Sequence, residues 1–139
     1  MSAPLSDVLR DYVGALNERD GETRLALLRT AVTDDLRVVP GYAPDAPVIA
    51  GAEAFSQHIG AVIEATRPPA YRLELLGDPD AHHDWVRFHW HVVDDTGGVL
   101  SAGDRAIEGL DVAHLSSDGR LDTIVAFLGH MPDHDEGTP

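Results

Sequence analysis

Two hydrophobic periods divide this chain. In its first half the apolar residues recur at intervals of three and four, as in Val8, Leu9, Tyr12, Val13 and Leu16. That spacing places them on one face of a helix. From Tyr71 to Leu128 the pattern shortens to strand-like runs separated by Asp-, Gly- and Pro-containing turns. Helices first and a run of antiparallel strands after is an α+β arrangement. A strongly curved, mostly antiparallel sheet wrapped over helices would leave a cone-shaped cavity, lined by alternate residues of each strand.

Ser6 is placed to cap the first helix, and Asp20-Gly21 to end it. Arg24–Val32 reads as a second helix, Leu36–Val39 as a short strand stopped by Pro40-Gly41, and the Pro-rich stretch that follows as a loop. Ala52–Thr66 reads as a third helix, with Phe55, His58, Ile59, Val62 and Ile63 on one face and Pro68-Pro69 beyond its end. Strands are expected at Tyr71–Leu76, Trp85–Val93 and Leu121–Leu128, with turns at Asp78-Pro79-Asp80, Asp94–Gly98 and Ser117-Asp118-Gly119. Val99–Leu115 is expected as one long strand, or two with a bend near Gly103 or Gly109. The chain's 139 residues suggest one domain, 1–139, with 131–139 a polar, flexible tail.

Charge narrows the partners. Carboxylates outnumber basic residues 24 to 10, and the formal net charge is -14. Every basic residue is Arg. No basic surface of useful size can be assembled, which disfavours nucleic acid and anionic membranes as partners. With no Cys, disulfides, thiolate metal sites and cysteine nucleophiles are excluded. The N-terminal residues lack a basic stretch followed by an apolar run, and no segment is apolar enough to span a bilayer, so a cytoplasmic protein is expected.

Five segments, in this order and spacing, carry a family resemblance: YVGALNERD, DDLRVVPG, GAEAFSQHI, AHHDWVRFHWHV and GLDVAHLSSDGRLDTIVAFLG. Together they resemble the nuclear transport factor 2-like superfamily, in its SnoaL-like and ketosteroid-isomerase-like branch, over about residues 6 to 130. The resemblance implies a cone of three helices on a curved sheet, an apolar pocket inside it, and a homodimer formed through the outer sheet face. It also implies roles. Tyr12 matches the isomerase tyrosine that donates a hydrogen bond to a dienolate oxygen. Asp111, eight residues before Gly119, matches the protonated aspartate that is the second donor. The family's carboxylate base would fall near Val39-Pro40, where no carboxylate stands.

Other residues bear on the same chemistry. His58 interrupts an apolar helix face; it could replace the missing base, or be a hydrogen-bonded core histidine. If Phe88 faces the interior, strand alternation turns Trp90 inward with it, and Arg87, His89 and His91 outward. By the resemblance Leu16, Phe55, Phe88, Trp90, Ala113, Ile124, Ala126 and Leu128 would line a substrate pocket. The pair His89/His91, with His82 and His83 nearby, lacks an obvious third ligand, so no metal site and no cofactor are expected.

Functions of two classes fit these residues. One is a cofactor-free isomerase or cyclase that moves a proton on a small apolar carbonyl compound, polyketide-like or steroid-like. A related enzyme reading is an epoxide hydrolase, which would need an Asp–Arg–Asp relay drawing on Arg72, Arg87 or Arg105. The other class is a non-catalytic module that holds a small ligand or serves as a scaffold, since a fold does not fix a function.

Overall fold

The structure, a computed structural model, describes residues 4–41 and 45–129. His130, the expected tail 131–139 and part of the Pro-rich loop lie outside the described residues. Three helices come first: α1 (Leu5–Asn17), α2 (Gly21–Ala31) and α3 (Ala52–Thr66). The strands are β1 (Val32–Val39), β2 (Ile49–Ala50), β3 (Arg72–His82), β4 (Trp85–Val93), β5 (Ser101–Ala102), β6 (Arg105–Ala106), β7 (Glu108–Leu115) and β8 (Leu121–Leu128). Six of them form one sheet in the order β2-β1-β8-β7-β4-β3, and β5 and β6 make a separate ribbon. Among the described residues only β1 and β8 pair in parallel; every other neighbour in the sheet is antiparallel.

The helices bury Val8, Leu9, Tyr12 and Ala15 of α1, Leu28 and Ala31 of α2, and Phe55, Ile59 and Ile63 of α3 against Leu36, Val86, Phe88, Ala113, Leu121 and Ile124 of the sheet. This is the α+β architecture that the two hydrophobic periods imply. The periodicity located α3, β4 and β8 with the boundaries observed.

Several expected boundaries move, each for a local reason. Ser6 is not the α1 cap: the helix starts at Leu5, with Pro4 before it and no side-chain cap. Asp20 does more than end α1. Its carboxylate accepts the Thr23 N–H at 3.0 Å and starts α2 at Gly21, ahead of the expected Arg24. The short strand at Leu36 lengthens backwards to Val32, because β1 pairs with β8 from Val32 onward. Ile49–Ala50, expected as loop, pairs with Arg37 and Val38. Asp78-Pro79-Asp80 is not the hairpin turn. It is a bulge inside β3, where Leu76 pairs with His89 but Asp80 with Arg87. Proline, which has no N–H for the ladder, is tolerated at such a point on an edge strand. The chain turns instead at His83, whose φ is 56°. In the Val99–Leu115 segment the turn falls at Gly103, with φ 66°.

Two polar clamps fix the helices, and the hydrophobic pattern reveals neither. Asn17 acts as a piece of strand. Its side chain accepts the Leu73 N–H at 2.7 Å and donates to the Leu73 carbonyl at 2.9 Å, pinning the end of α1 to β3. Arg24, buried between helices, donates to Ser56 Oγ at 3.0 Å and to the Glu18 carbonyl at 2.8 Å. The guanidinium lies against Gly60, where a Cβ would stand 2.6 Å from Nη2 and displace it from this position. Asn17→Ala leaves both Leu73 backbone groups, in a buried residue, without that partner. The expected loss is about 1–3 kcal/mol in urea unfolding; an unchanged midpoint would show that water replaces the clamp at no cost.

Candidate functional site

The helix-and-sheet packing sets one carboxyl inside the molecule. Asp111 lies on β7 between Gly109 and Ala113, on the face that points at the helices, and is 4 % exposed. Trp90, across the β4–β7 ladder, donates its indole N–H to Asp111 Oδ1 at 3.0 Å. The Tyr12 hydroxyl, from α1, is hydrogen-bonded to the same carboxyl. Three elements far apart in sequence therefore meet at Asp111.

Glycine makes the Trp90 contact possible. A Cβ at Gly109 would lie 2.3 Å from Trp90 Cζ2 and 2.7 Å from the Phe127 carbonyl oxygen. Gly109 is thus a slot for the indole within a continuous strand, not the bend that was one expectation for it. Its place two residues before a buried acid was the available sequence signal.

The electrostatics follow from burial. Loss of solvation raises the Asp111 pKa from 3.8 to about 6, against the opposing pull of the Trp90 and Tyr12 hydrogen bonds. The Tyr12 hydroxyl is driven well above its ordinary value by burial first and by the neighbouring carboxylate second. Near neutral pH the pair is therefore a largely ionised acid and a firmly protonated phenol. This differs from the pairing that the resemblance implies, in which both groups are neutral donors.

Aromatic rings pack around the pair. Tyr12 stacks on Phe55 with ring centroids 6.3 Å apart and meets Phe88 edge-on at 5.9 Å. His58 stacks on Phe55 from one turn further along α3, with centroids 6.5 Å apart. It is half-buried, and desolvation lowers its pKa below 6.5, so it is mostly neutral at pH 7.

The expected lining residues divide into two groups. Phe55, Phe88, Ala113 and Ile124 are core, at most 5 % exposed, so the interior is filled at the level of Tyr12. Leu16, Trp90 and Ala126 are half-buried, and Leu128 is 53 % exposed at the end of β8. With His58 these are the expected site residues that still present surface. Of the residues expected to face outward, Arg87 and His89 are exposed and His91 is half-buried; Arg87 pairs with Asp80 at 2.8 Å. Arg72 is held by Glu74 and Asp95, and Arg105 is exposed. None of the three arginines reaches Asp111, so the relay of an epoxide hydrolase is not assembled around it. Among the described residues no three His, Asp or Glu side chains converge as metal ligands, and no helix is long and apolar enough to cross a membrane.

Comparison with solved structures decides the family. A candidate isomerase of the SnoaL-like family from Agrobacterium tumefaciens is 30% identical, with a TM-score of 0.70 over 88% of this chain and 95% of that one. The chain belongs to the SnoaL-like family. More distant structures share the fold. An NTF2-like protein of unknown function from Exiguobacterium is 19% identical, with a TM-score of 0.63 over 89% of this chain and 99% of that one. A candidate polyketide cyclase from Sinorhizobium meliloti is 16% identical, with a TM-score of 0.62 over 89% of this chain and 94% of that one. No family model matches the chain, and no curated protein does.

In this SnoaL-like chain the raised Asp111 pKa is also a statement about stability. The folded value lies above the unfolded one, so the native state prefers the protonated acid. That contribution is complete below pH 3.8 and is lost as pH rises through about 6. A shift of this size corresponds to about 3 kcal/mol. Relative to Asp111→Asn, the wild type should gain roughly that amount between pH 8 and pH 4. Comparing the two proteins cancels the titration of His58, which has the opposite sign. Parallel stability curves would rule out a buried, titrating Asp111. Trp90→Phe removes an N–H that favours the carboxylate, so the Asp111 midpoint, followed by carboxyl carbon NMR, should rise further; no movement would mean that the indole bond has no influence.

Proposed function

We propose that this SnoaL-like protein is an isomerase or cyclase that moves a proton on a small, largely apolar carbonyl compound, polyketide-like or steroid-like, with Asp111 as the base. One observation carries this reading. A carboxyl is buried in the sheet interior with a pKa near 6, between two hydrogen-bond donors. That value suits a general base at neutral pH. It also supplies the function that the missing carboxylate near Val39-Pro40 would have had.

The step is a transfer of one proton. Asp111 takes a proton from the carbon beside the carbonyl. The C–H bond breaks, an O–H bond forms on the carboxyl, and the electron pair moves to the carbonyl oxygen. Until then Tyr12 and Trp90 donate to the carboxylate. Protonation removes the anion they were holding, and both donors become available to the enolate oxygen. Return of the proton to a different carbon completes an isomerisation; in a cyclisation the enolate carbon attacks a second carbonyl, the C=O π bond breaks as the C–C bond forms, and the resulting alkoxide takes the proton back from Asp111. The half-buried Leu16, Trp90 and Ala126, with exposed Leu128, would hold the apolar substrate at the opening, and His58 would accept or return a proton there.

The filled interior around Tyr12, Phe55 and Phe88 supports a second reading, a ligand-holding module without chemistry. The two are separated by following loss of α-proton signals in D2O for a panel of small cyclic ketones and β-diketones. Catalysed exchange that falls by at least about 10²-fold in Asp111→Asn and in Tyr12→Phe supports the base and donor roles. Saturable binding without exchange, or exchange indifferent to Asp111→Asn, would favour the module. A loss in His58→Ala with Asp111→Asn unaffected would move the base to His58.

A further inference from the structure

The far end of β7 carries a second group of convergent side chains. The strand's alternation turns His114 to the outer face, opposite to Asp111. The two residues lie three positions apart, about 10 Å along the strand. His114 Nδ1 is 2.8 Å from Asp122 Oδ1. A bulge accompanies this contact. Leu115 pairs with Leu121 but His114 with Thr123, so Asp122 is the extra residue in β8. A carboxylate only accepts, so in the neutral imidazole the proton sits on Nδ1 and Nε2 keeps its lone pair. No described residue bonds Nε2.

Around this imidazole lies an open cleft of about 630 Å³, lined by Leu5, Asp84, Leu115 and the turn Ser116-Ser117 among others. That volume is in the range of small-molecule sites. Its chemistry is one-sided. The lining contains the carboxylates of Asp84 and Asp122 and no Arg. The nearest guanidinium in sequence, Arg120, is already engaged by Asp118 at 2.8 Å and by the Arg29 and Val32 carbonyls at 3.2 Å each. Leu5 and Leu115 add an apolar wall. Trp85, 50 % exposed, packs edge-on against His114 with ring centroids 4.8 Å apart. A partly exposed side-chain hydrogen bond contributes little stability, so holding one imidazole in a fixed pose beside a cleft is poorly explained by folding alone.

We propose that this cleft is a ligand site, separate from the Tyr12–Asp111 centre, that takes a small primary amine carrying an apolar arm. The ammonium group donates to the Asp84 carboxylate and to His114 Nε2, and Asp122 fixes the tautomer that leaves that nitrogen free to accept. The arm lies on Leu5 and Leu115, and the Trp85 ring adds cation–π attraction at the rim. A net charge of -14 concentrates cations near the surface and repels the matching anions.

The test is an NMR titration of the whole chain with phenethylamine, and with 3-phenylpropionate as the anion of similar shape. The amine should give saturable shifts at the Trp85 indole N–H and the His114 ring, while the Trp90 indole N–H, bonded to Asp111, stays in place. Asp84→Asn and Asp122→Asn should each weaken binding about tenfold or more, the scale of one lost charge-assisted hydrogen bond. Asp84 is exposed, so its variant keeps the fold, and an unmoved Trp90 signal verifies this. The proposal is overturned if the amine gives no saturable shift, if phenylpropionate binds equally well, or if both variants bind like the wild type. None of these outcomes bears on proton transfer at Asp111.

Discussion

A carboxyl held away from water inside a β-sheet has to be compensated by donors, and this requirement organises the centre of the molecule. Desolvation alone pushes Asp111 toward its neutral form. The Trp90 indole and the Tyr12 hydroxyl pull in the other direction without cancelling that push. A carboxyl that titrates at about 6 is the result. Each donor has its own support. Gly109 leaves room for the indole, and Phe55 and Phe88 fix the phenol. The position of α1, which carries Tyr12, depends on Asn17 binding the edge of β3.

Membership of the SnoaL-like family and the geometry at Asp111 point the same way, but by independent routes. The family is shown by overall likeness to a solved SnoaL-like structure. The proposed base rests on one buried acid and its two donors. The sheet keeps the two ends of β7 apart: Asp111 is turned toward the helices, and His114 toward the outer face. One strand therefore carries a buried carboxyl on one side and borders an open, acidic cleft on the other, because alternate side chains point to opposite sides.

The pattern of apolar residues gave the helices and strands wherever burial was one-sided. α3, β4 and β8 are of this kind, since a 3.6- or two-residue period leaves little freedom in placing them. It failed where backbone hydrogen bonding outweighed hydrophobic pattern. The early start of β1, the short β2 and the bulge through Pro79 all depend on pairing with residues distant in sequence. Arg24 read as an ordinary helix-opening residue, because nothing nearby in sequence shows that Ser56 and Gly60 receive its guanidinium.

The candidate site shows the same division. The family resemblance turned the strand faces of Trp90 and Asp111 inward; by itself the sequence determined the α+β order, the acidic character and the apolar helix faces that carry Tyr12 and His58. Those properties follow from composition and from local periodicity, which any short stretch of chain carries. Only the tertiary structure decided that Trp90 and Tyr12 bond to one carboxyl, that burial lifts this carboxyl to about 6, and that Phe55 and Phe88 fill the space beside it. Hydrogen-bond partners and loss of solvent are properties of the packed molecule, set by which distant elements come together, and no local pattern records them.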